Sequence, residues 1–306
     1  MSDVLRIGYL HLKVTDLAEA KNHYQDILGL RVIHQDQDNK LYFKAWDEWD
    51  HHHLVLEEGG TGLTKFGVKV KGLDNLDYFE KKIQQFGCST TRMSKGENYA
   101  VGEGVRVVLP SEHVMELYHD MEYVGKEVGT INPQLRPQNL IGIGAPNLDH
   151  MLLSAEDPGL MERMFTECLD LRVSERVVTE LGENSDVIGS WMFSTHKSHD
   201  IAFIKGENKK FHHMGYKLMD WTALRIAGEI MGLNDVSIGF GPDIHGLSRG
   251  QTIYFFDPAG NRNEVFAGDM ETARDMPTMN WTEDQIIRAI GHIGREVKEN
   301  HFTVLT

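Results

Sequence analysis

Two stretches of the chain alternate between apolar and polar positions in the same way. Residues 7–32 read IGYLHLKVTDLAEAKNHYQDILGLRV and residues 148–173 read LDHMLLSAEDPGLMERMFTECLDLRV. Each opens on a strand-like run, passes a polar turn, continues at helical spacing and closes on Leu-Arg-Val. In the first, Leu17, Ala20, Tyr24, Ile27 and Leu28 share one helical face and Gly29 follows as a stop. In the second, Asp157 and Pro158 supply a capping acid and a first-turn proline, and Met161, Met164, Phe165 and Cys168 carry on the apolar stripe. Runs rich in β-branched and aromatic residues predict strands at GVKVK (67–71), DIAFI (200–204) and TIYFF (252–256). Asp257-Pro258-Ala259-Gly260 has type I turn chemistry, so 252–266 reads as a hairpin.

The repeat predicts an α+β protein of two duplicated domains. Each divides into two strand–helix–strand–strand–strand modules, roughly 5–58 and 64–119, then 148–204 and 211–266. Pro133, Pro137 and Pro146 oppose helix and central strand alike and mark a connection within 128–147. The domain reading is therefore 1–130, a linker at 131–147, and 148–306. In the tail after 268, a helix is expected from Thr282, where Gln285 completes a capping box and Ile286, Ile290, Ile293 and Val297 form an apolar stripe. That helix would pack over the second domain or meet another copy of the chain.

Composition narrows the partners. With 31 basic and 46 acidic residues among 306, the net charge of −15 disfavours nucleic acid and anionic membrane surfaces. Cys88 and Cys168 form neither a CxxC pair nor a dense framework, which fits a reduced, cytoplasmic compartment. MSDVLRIGYLHLKV lacks a secretory pattern, and no run approaches the roughly 18 apolar residues of a membrane span.

Candidate chemistry falls in the second half. Extending the repeat sets His11 against His150, Lys65 against His213, and Glu116 against Glu264. An ammonium group has no lone pair for a metal, so only the second set can be a ligand set. Strand alternation allows one of His212 and His213 to face inward, and the match to Lys65 selects His213. Glu264, flanked by Val265 and Phe266, should be buried and so needs a partner. From the residues alone, two readings stand equal: a metal held by His150, His213 and Glu264, or a satisfied histidine pair with Glu264 bridged to Arg262 or another cation. Two imidazoles and a carboxylate would leave coordination positions open, as in non-haem Fe(II) sites, while Mn²⁺, Zn²⁺ and Ni²⁺ are compatible with the same donors. Tyr254, His199 and the loop residue His245 stand near these positions, with a core tyrosine and surface histidines as the alternatives. The tract DHHHL (50–54) reads as an exposed loop or strand edge.

The stretches HDIAFI (199–204), FHHMGY (211–216), HGLSRGQTIYFFDPAGNRNEVF (245–266) and FTVLT (302–306) carry a resemblance that extends over essentially the whole chain. The chain resembles the extradiol ring-cleaving dioxygenases of the vicinal oxygen chelate superfamily. That resemblance implies four βαβββ modules paired into two glyoxalase/bleomycin-resistance-like domains with open barrel sheets. It implies Fe(II) on His150, His213 and Glu264, with His199, His245 and Tyr254 around the substrate and Phe302 on the pocket wall. His199 is then the expected acid/base residue, Tyr254 a hydrogen-bond donor to a substrate oxygen, and His245 the group that deprotonates or orients a catechol hydroxyl. The implied substrates are catechol or a methylcatechol with O₂, cleaved between C2 and C3 to 2-hydroxymuconic semialdehyde in aromatic-compound catabolism. The implied assembly is a homotetramer. Two rival readings use the same scaffold: a glyoxalase-like isomerase, which commonly supplies four protein ligands, and a non-catalytic ligand-sequestering protein.

Overall fold

The computed structural model describes residues 3–182, 185–294 and 296–306. Four modules follow one another along the chain. The first holds β1 (Val4–Val14), α1 (Leu17–Asn22), β2 (Arg31–Gln35), β3 (Leu41–Lys44) and β4 (Leu54–Glu58). The second holds β5 (Gly62–Val70), α2 (Leu73–Phe86), β6 (Thr90–Met93), β7 (Gly104–Val108) and β8 (Val114–Tyr118). The third holds β9 (Leu148–Ala155), α3 (Pro158–Leu169), β10 (Arg172–Val178), β11 (Val187–Phe193) and β12 (Ile201–Lys205). The fourth holds β13 (Lys210–Lys217), α4 (Trp221–Leu233), β14 (Ile238–Ile244), β15 (Gln251–Phe256) and β16 (Arg262–Ala267). Between 119 and 147 there is no helix or strand.

Local chemistry fixes the helix ends. Asp16 accepts from the amides of Ala18 and Glu19 at 2.8 and 2.9 Å, and Asp157 accepts from Leu160 N at 2.8 Å ahead of Pro158. The helix begun by α1 loosens into a π-type turn over His23–Ile27. The turn at 257–260 closes as its residues predict, with Gly260 N donating to Asp257 O at 3.0 Å.

Among the described residues, modules pair into two open sheets. The first runs β2-β3-β4-β1-β5-β8-β7-β6 and the second β14-β15-β16-β13-β9-β12-β11-β10. In both, the first strands of the two modules meet antiparallel at the centre: β1 with β5, and β9 with β13. A further strand, β17 (Met279–Thr282), lies parallel to β10 and extends the second sheet. One apolar core runs through both halves. Polar contacts also cross between them: Tyr24 Oη donates to Asp257 Oδ2 at 2.9 Å, and Asn261 Nδ2 to the Lys13 carbonyl at 2.9 Å.

The tail departs from its expected form. Thr282 makes no capping side-chain bond, and the helix α5 (Ile286–Ile290) stops at Gly291. The cause is Asp243: its carboxylate accepts from the amides of His292, Ile293 and Gly294 at 3.1, 2.7 and 3.1 Å and draws the chain out of the helix. Ile293 is consequently exposed. A last turn, α6 (Asn300–Thr303), returns to the second sheet. Its Asn300 and His301 carbonyls, and that of Val304 just beyond it, accept from the buried guanidinium of Arg262 at 3.0, 3.0 and 3.1 Å.

The tract at 50–54 also departs from expectation. His51, His52 and His53 are all buried, and His53 bridges the halves through Glu48 Oε2 at 2.5 Å and Tyr216 Oη at 3.0 Å.

Candidate metal centre

Three strands at the middle of the second sheet bring His150, His213 and Glu264 together. Gly215 on β13 is paired with His150 on β9 on one side and with Glu264 on β16 on the other. Gly215 has a spatial reason to be glycine, because a Cβ there would run into the His150 ring. The donor atoms form a near-equilateral triangle. His150 Nε2 lies 2.9 Å from Glu264 Oε2, His213 Nε2 lies 3.2 Å from the same oxygen, and the two nitrogens are 3.2 Å apart.

That triangle is the size one octahedral face requires. Ligand bonds of about 2.1 Å at right angles put neighbouring donors about 3 Å apart. Each donor is also oriented from behind. His150 Nδ1 faces Asp149 Oδ1 at 3.1 Å, and Thr252 Oγ1 donates to Glu264 Oε1 at 2.5 Å, leaving Oε2 for the shared centre. His213 Nδ1 lies 2.6 Å from His212 Nδ1. Arg262 is not the partner of Glu264, since its guanidinium is spent on the tail carbonyls and His212 Nε2.

The electrostatics ask for a cation among the donors. Burial opposes ionisation of Glu264, but hydrogen bonds from His150 and His213 outweigh it and hold the carboxyl well below the usual range. Burial also disfavours charge on His150, but its bonds to Asp149 and Glu264 prevail and push it up to about 9. Burial pulls His213 down to about 4. A positive charge among these atoms therefore balances Glu264. A divalent metal among the same three atoms would do so with all three donors deprotonated.

The triad forms part of the wall of a cavity of about 320 Å³, with Leu152, Val177, Trp191, Ile204, Leu247 and Phe302 on its apolar walls. His199, His245 and Tyr254 line the same space, so the three candidate ligands, these three residues and Phe302 share one cavity. The His199 ring centre is 4.3 Å from that of His150, and Ser198 Oγ is 3.0 Å from its Nδ1. Burial first, then the neighbouring His150, keeps His199 neutral, far below its ordinary value. His245 Nδ1 faces the Ile290 carbonyl at 2.5 Å, and its Nε2 is 2.9 Å from Tyr254 Oη. Tyr254 stands directly across the hairpin from Glu264, and burial drives its hydroxyl well above the ordinary range.

The chain is similar to known proteins over essentially its whole length. Residues 64–122 match the catechol 2,3-dioxygenase-like N-terminal domain, and residues 147–265 match the glyoxalase/bleomycin resistance protein/dioxygenase superfamily. A metapyrocatechase of Pseudomonas sp. (strain CF600) is 37% identical over 306 residues, covering 99% of each chain. The chain belongs to the extradiol dioxygenases. Another relative, a manganese-dependent 2,3-dihydroxybiphenyl 1,2-dioxygenase of Geobacillus genomosp. 3, is 26% identical over 97% of this chain and 96% of its own. Among solved structures, the 2,3-dioxygenase LapB from Pseudomonas sp. KL28 superposes with a TM-score of 0.89 at 37% identity, covering 93% of this chain and 99% of its own. Homoprotocatechuate 2,3-dioxygenase from Arthrobacter globiformis gives a TM-score of 0.86 at 28% identity, covering 99% and 91%.

Two details of this extradiol dioxygenase correct the sequence reading. First, the counterpart of His150 is Tyr9 rather than His11. Tyr9 pairs with Gly67 and Gly67 with Glu116, the same ladder as His150–Gly215–Glu264. His11 pairs with Lys65, as Leu152 pairs with His213. Second, strand alternation does not choose between His212 and His213. The register shifts between Phe211 and His213, and the bulge turns both rings into the cavity. Asp149, Thr252 and His301 also belong to the site and were not singled out in the sequence. His301 lines the cavity with its ring centre 5.0 Å from that of Tyr254. An acid next to a candidate histidine ligand was the one available signal, and it pointed to Asp149.

Proposed function

We propose that the protein uses Fe(II) on His150, His213 and Glu264 to open the ring of catechol or a methylcatechol between C2 and C3 with O₂, giving 2-hydroxymuconic semialdehyde. The observation that carries this reading is a three-donor face opening onto an apolar cavity that also holds His199, His245 and Tyr254. Three protein donors leave room for a chelating diol and a gas molecule, which a four-ligand isomerase site would not. The chemistry a ferrous ion supplies there is a redox route between a singlet diol and triplet dioxygen.

The chain's own groups divide the remaining work. The apolar walls suit a ring that is bare or methyl-substituted, and one methyl group changes discrimination by roughly 1–3 kcal/mol. His245 Nδ1 donates to the Ile290 carbonyl, which leaves Nε2 as the nitrogen that can take up a proton. A diol proton can reach that nitrogen through the Tyr254 hydroxyl 2.9 Å away. After that transfer the Tyr254 hydroxyl carries the former diol proton and donates it as a hydrogen bond to the deprotonated substrate oxygen. His199, held neutral beside the triad, is the acid/base residue for the oxygen-insertion half of the reaction. Residues 1–130 serve as a metal-free domain, 131–147 as a linker and 148–306 as the catalytic domain, in a cytoplasmic homotetramer. No helix among the described residues is long and apolar enough to cross a membrane.

The test is direct. Protein loaded anaerobically with Fe(II) and mixed with catechol in air should form a yellow product with matched O₂ uptake. A parallel Mn(II) loading decides between the metals. Absence of product with both would overturn the reading in favour of an isomerase or a sequestering protein.

A further inference from the structure

Behind His150 lies a group of charges that the reaction does not use, two buried acids around a partly buried lysine. Asp149, Lys197 and Asp200 form it. Lys197 Nζ is 3.1 Å from Asp200 Oδ1 and 3.6 Å from Asp149 Oδ2, and it also donates to the Asp149 carbonyl. Asp200 is fixed in turn by the amides of Ser194 and Thr195, at 2.7 and 3.2 Å, and by both hydroxyls. Both acids are buried, at 4% and 1% exposure. A buried ionic group is seldom better for stability than apolar residues of the same shape, so its presence asks for another explanation.

The first domain supplies the control. There the position of Asp149 is taken by Gly8, one residue before Tyr9, just as Asp149 precedes His150. A side chain at Gly8 would run into the Tyr118 hydroxyl. The position of Asp200 is taken by His53, which faces Glu48 and Tyr216 instead. The same fold thus stands without the acid where the strand carries no histidine donor, and has it where the donor is present.

We propose that Asp149, braced by Lys197 and Asp200, is a positioning residue for His150 as a metal ligand. Its Oδ1, 3.1 Å from Nδ1, accepts the Nδ1–H, fixes the tautomer and turns the Nε2 lone pair toward Glu264 Oε2 and His213 Nε2. The negative charge behind the ring makes that nitrogen a stronger donor to a cation. The proposal rests on the reading that the triad holds a divalent ion.

The experiment uses the full-length protein loaded with Fe(II) under argon, without substrate. It follows the release of the ion to a colorimetric ferrous chelator, alongside the melting temperature of the metal-free form. Asp149→Ala should release iron about 10–100-fold faster than the native protein. Asp149→Asn, whose amide oxygen still accepts the Nδ1–H, should recover most of that loss. Release within twofold of native in both variants, with only the metal-free melting temperature lowered, would overturn the proposal and leave Asp149 a structural residue. A native protein that takes up neither Fe(II) nor Mn(II) would instead remove the metal reading, and the proposal with it.

Discussion

The two domains bury one carboxylate at the same place and neutralise it differently. Glu264 in the second sheet and Glu116 in the first are 2% and 0% exposed, and each stands beside a glycine on the central strand. Around Glu264 the neighbours are His150, His213 and Tyr254. Around Glu116 the same positions hold Tyr9, Lys65 and Arg106. Tyr9 Oη donates to Glu116 at 2.5 Å, Lys65 Nζ lies 3.3 Å away and Arg106 Nη2 2.6 Å away. A buried carboxylate needs a positive partner. Where the chain supplies it covalently, as Lys65 and Arg106 do, the result is a closed structural node. Where it supplies only lone pairs, the positive charge has to come from outside.

The largest effect should come from importing one domain's solution into the other. In His213→Lys the ammonium replaces a lone pair with a charge, so the triad loses a donor and Glu264 gains a partner. The fold should survive, because Lys65 already occupies that position in the first sheet. Metal analysis should find no bound ion, and ring cleavage should fall to background. Iron near the native content would remove His213 from the ligand set.

His199 and His52 offer a second contrast, since both precede their parallel strands by the same step. His52 lies with its ring centre 5.7 Å from that of Tyr9, as His199 lies beside His150. His199→Phe should retain the ion and lose about 100-fold in turnover, a typical share for a proton-transfer group. His52→Phe should stay within about twofold of native. Equal losses in the two variants would mean that His199 acts through packing.

Much of this contrast was legible beforehand, and the reasons it was partly misread are physical. The four modules follow from periods of two and 3.6 that survive in β1, β9, α1 and α3. The broken first site was visible in Lys65. Its other members were not, because matching histidine to histidine slid one strand by two residues and chose His11 over Tyr9. The bulge at His212 leaves no mark on an alternating pattern. Nor does the sequence show that Asp243 ends a tail helix some fifty residues later, or that Arg262 holds the carbonyls of α6. Those contacts are set by tertiary packing between distant segments.

A smaller effect separates the carboxylates by what their loss costs. Glu116→Gln leaves Lys65 and Arg106 facing a neutral amide. Breaking a buried pair costs about 3–5 kcal/mol, and the partial exposure of both cations, 17% and 32% at the side chain, lowers the expectation to about 2–3 kcal/mol. Thermal unfolding should show that loss with metal content unchanged. Glu264→Gln should in addition lose the ion, because one of the three donors is gone. A Glu116→Gln variant that also loses its metal would show the two sites to be coupled rather than independent.

The seam between the domains should respond to acid. His23 and His113 are both buried there. His113 accepts from Ser111 Oγ at 2.9 Å and donates to the Lys210 carbonyl at 3.1 Å, while Asn263 Nδ2 lies 3.2 Å from His23 Nε2. Burial pulls each down to about 4, from an ordinary 6.5. Between those values the unfolded chain binds protons that the folded chain refuses, so unfolding is favoured as pH falls. Their contribution is therefore complete above about 6.5 and is lost progressively toward about 4. His113→Gln keeps an amide that can meet the Lys210 carbonyl and removes one titrating group. Compared in the same metal-free state, where the triad titrates alike in both proteins, the melting temperature of the variant should fall less steeply below about pH 6.5 than that of the native chain. Parallel slopes would mean that His113 is already reached by water in the folded protein, and that the seam is looser than its burial indicates.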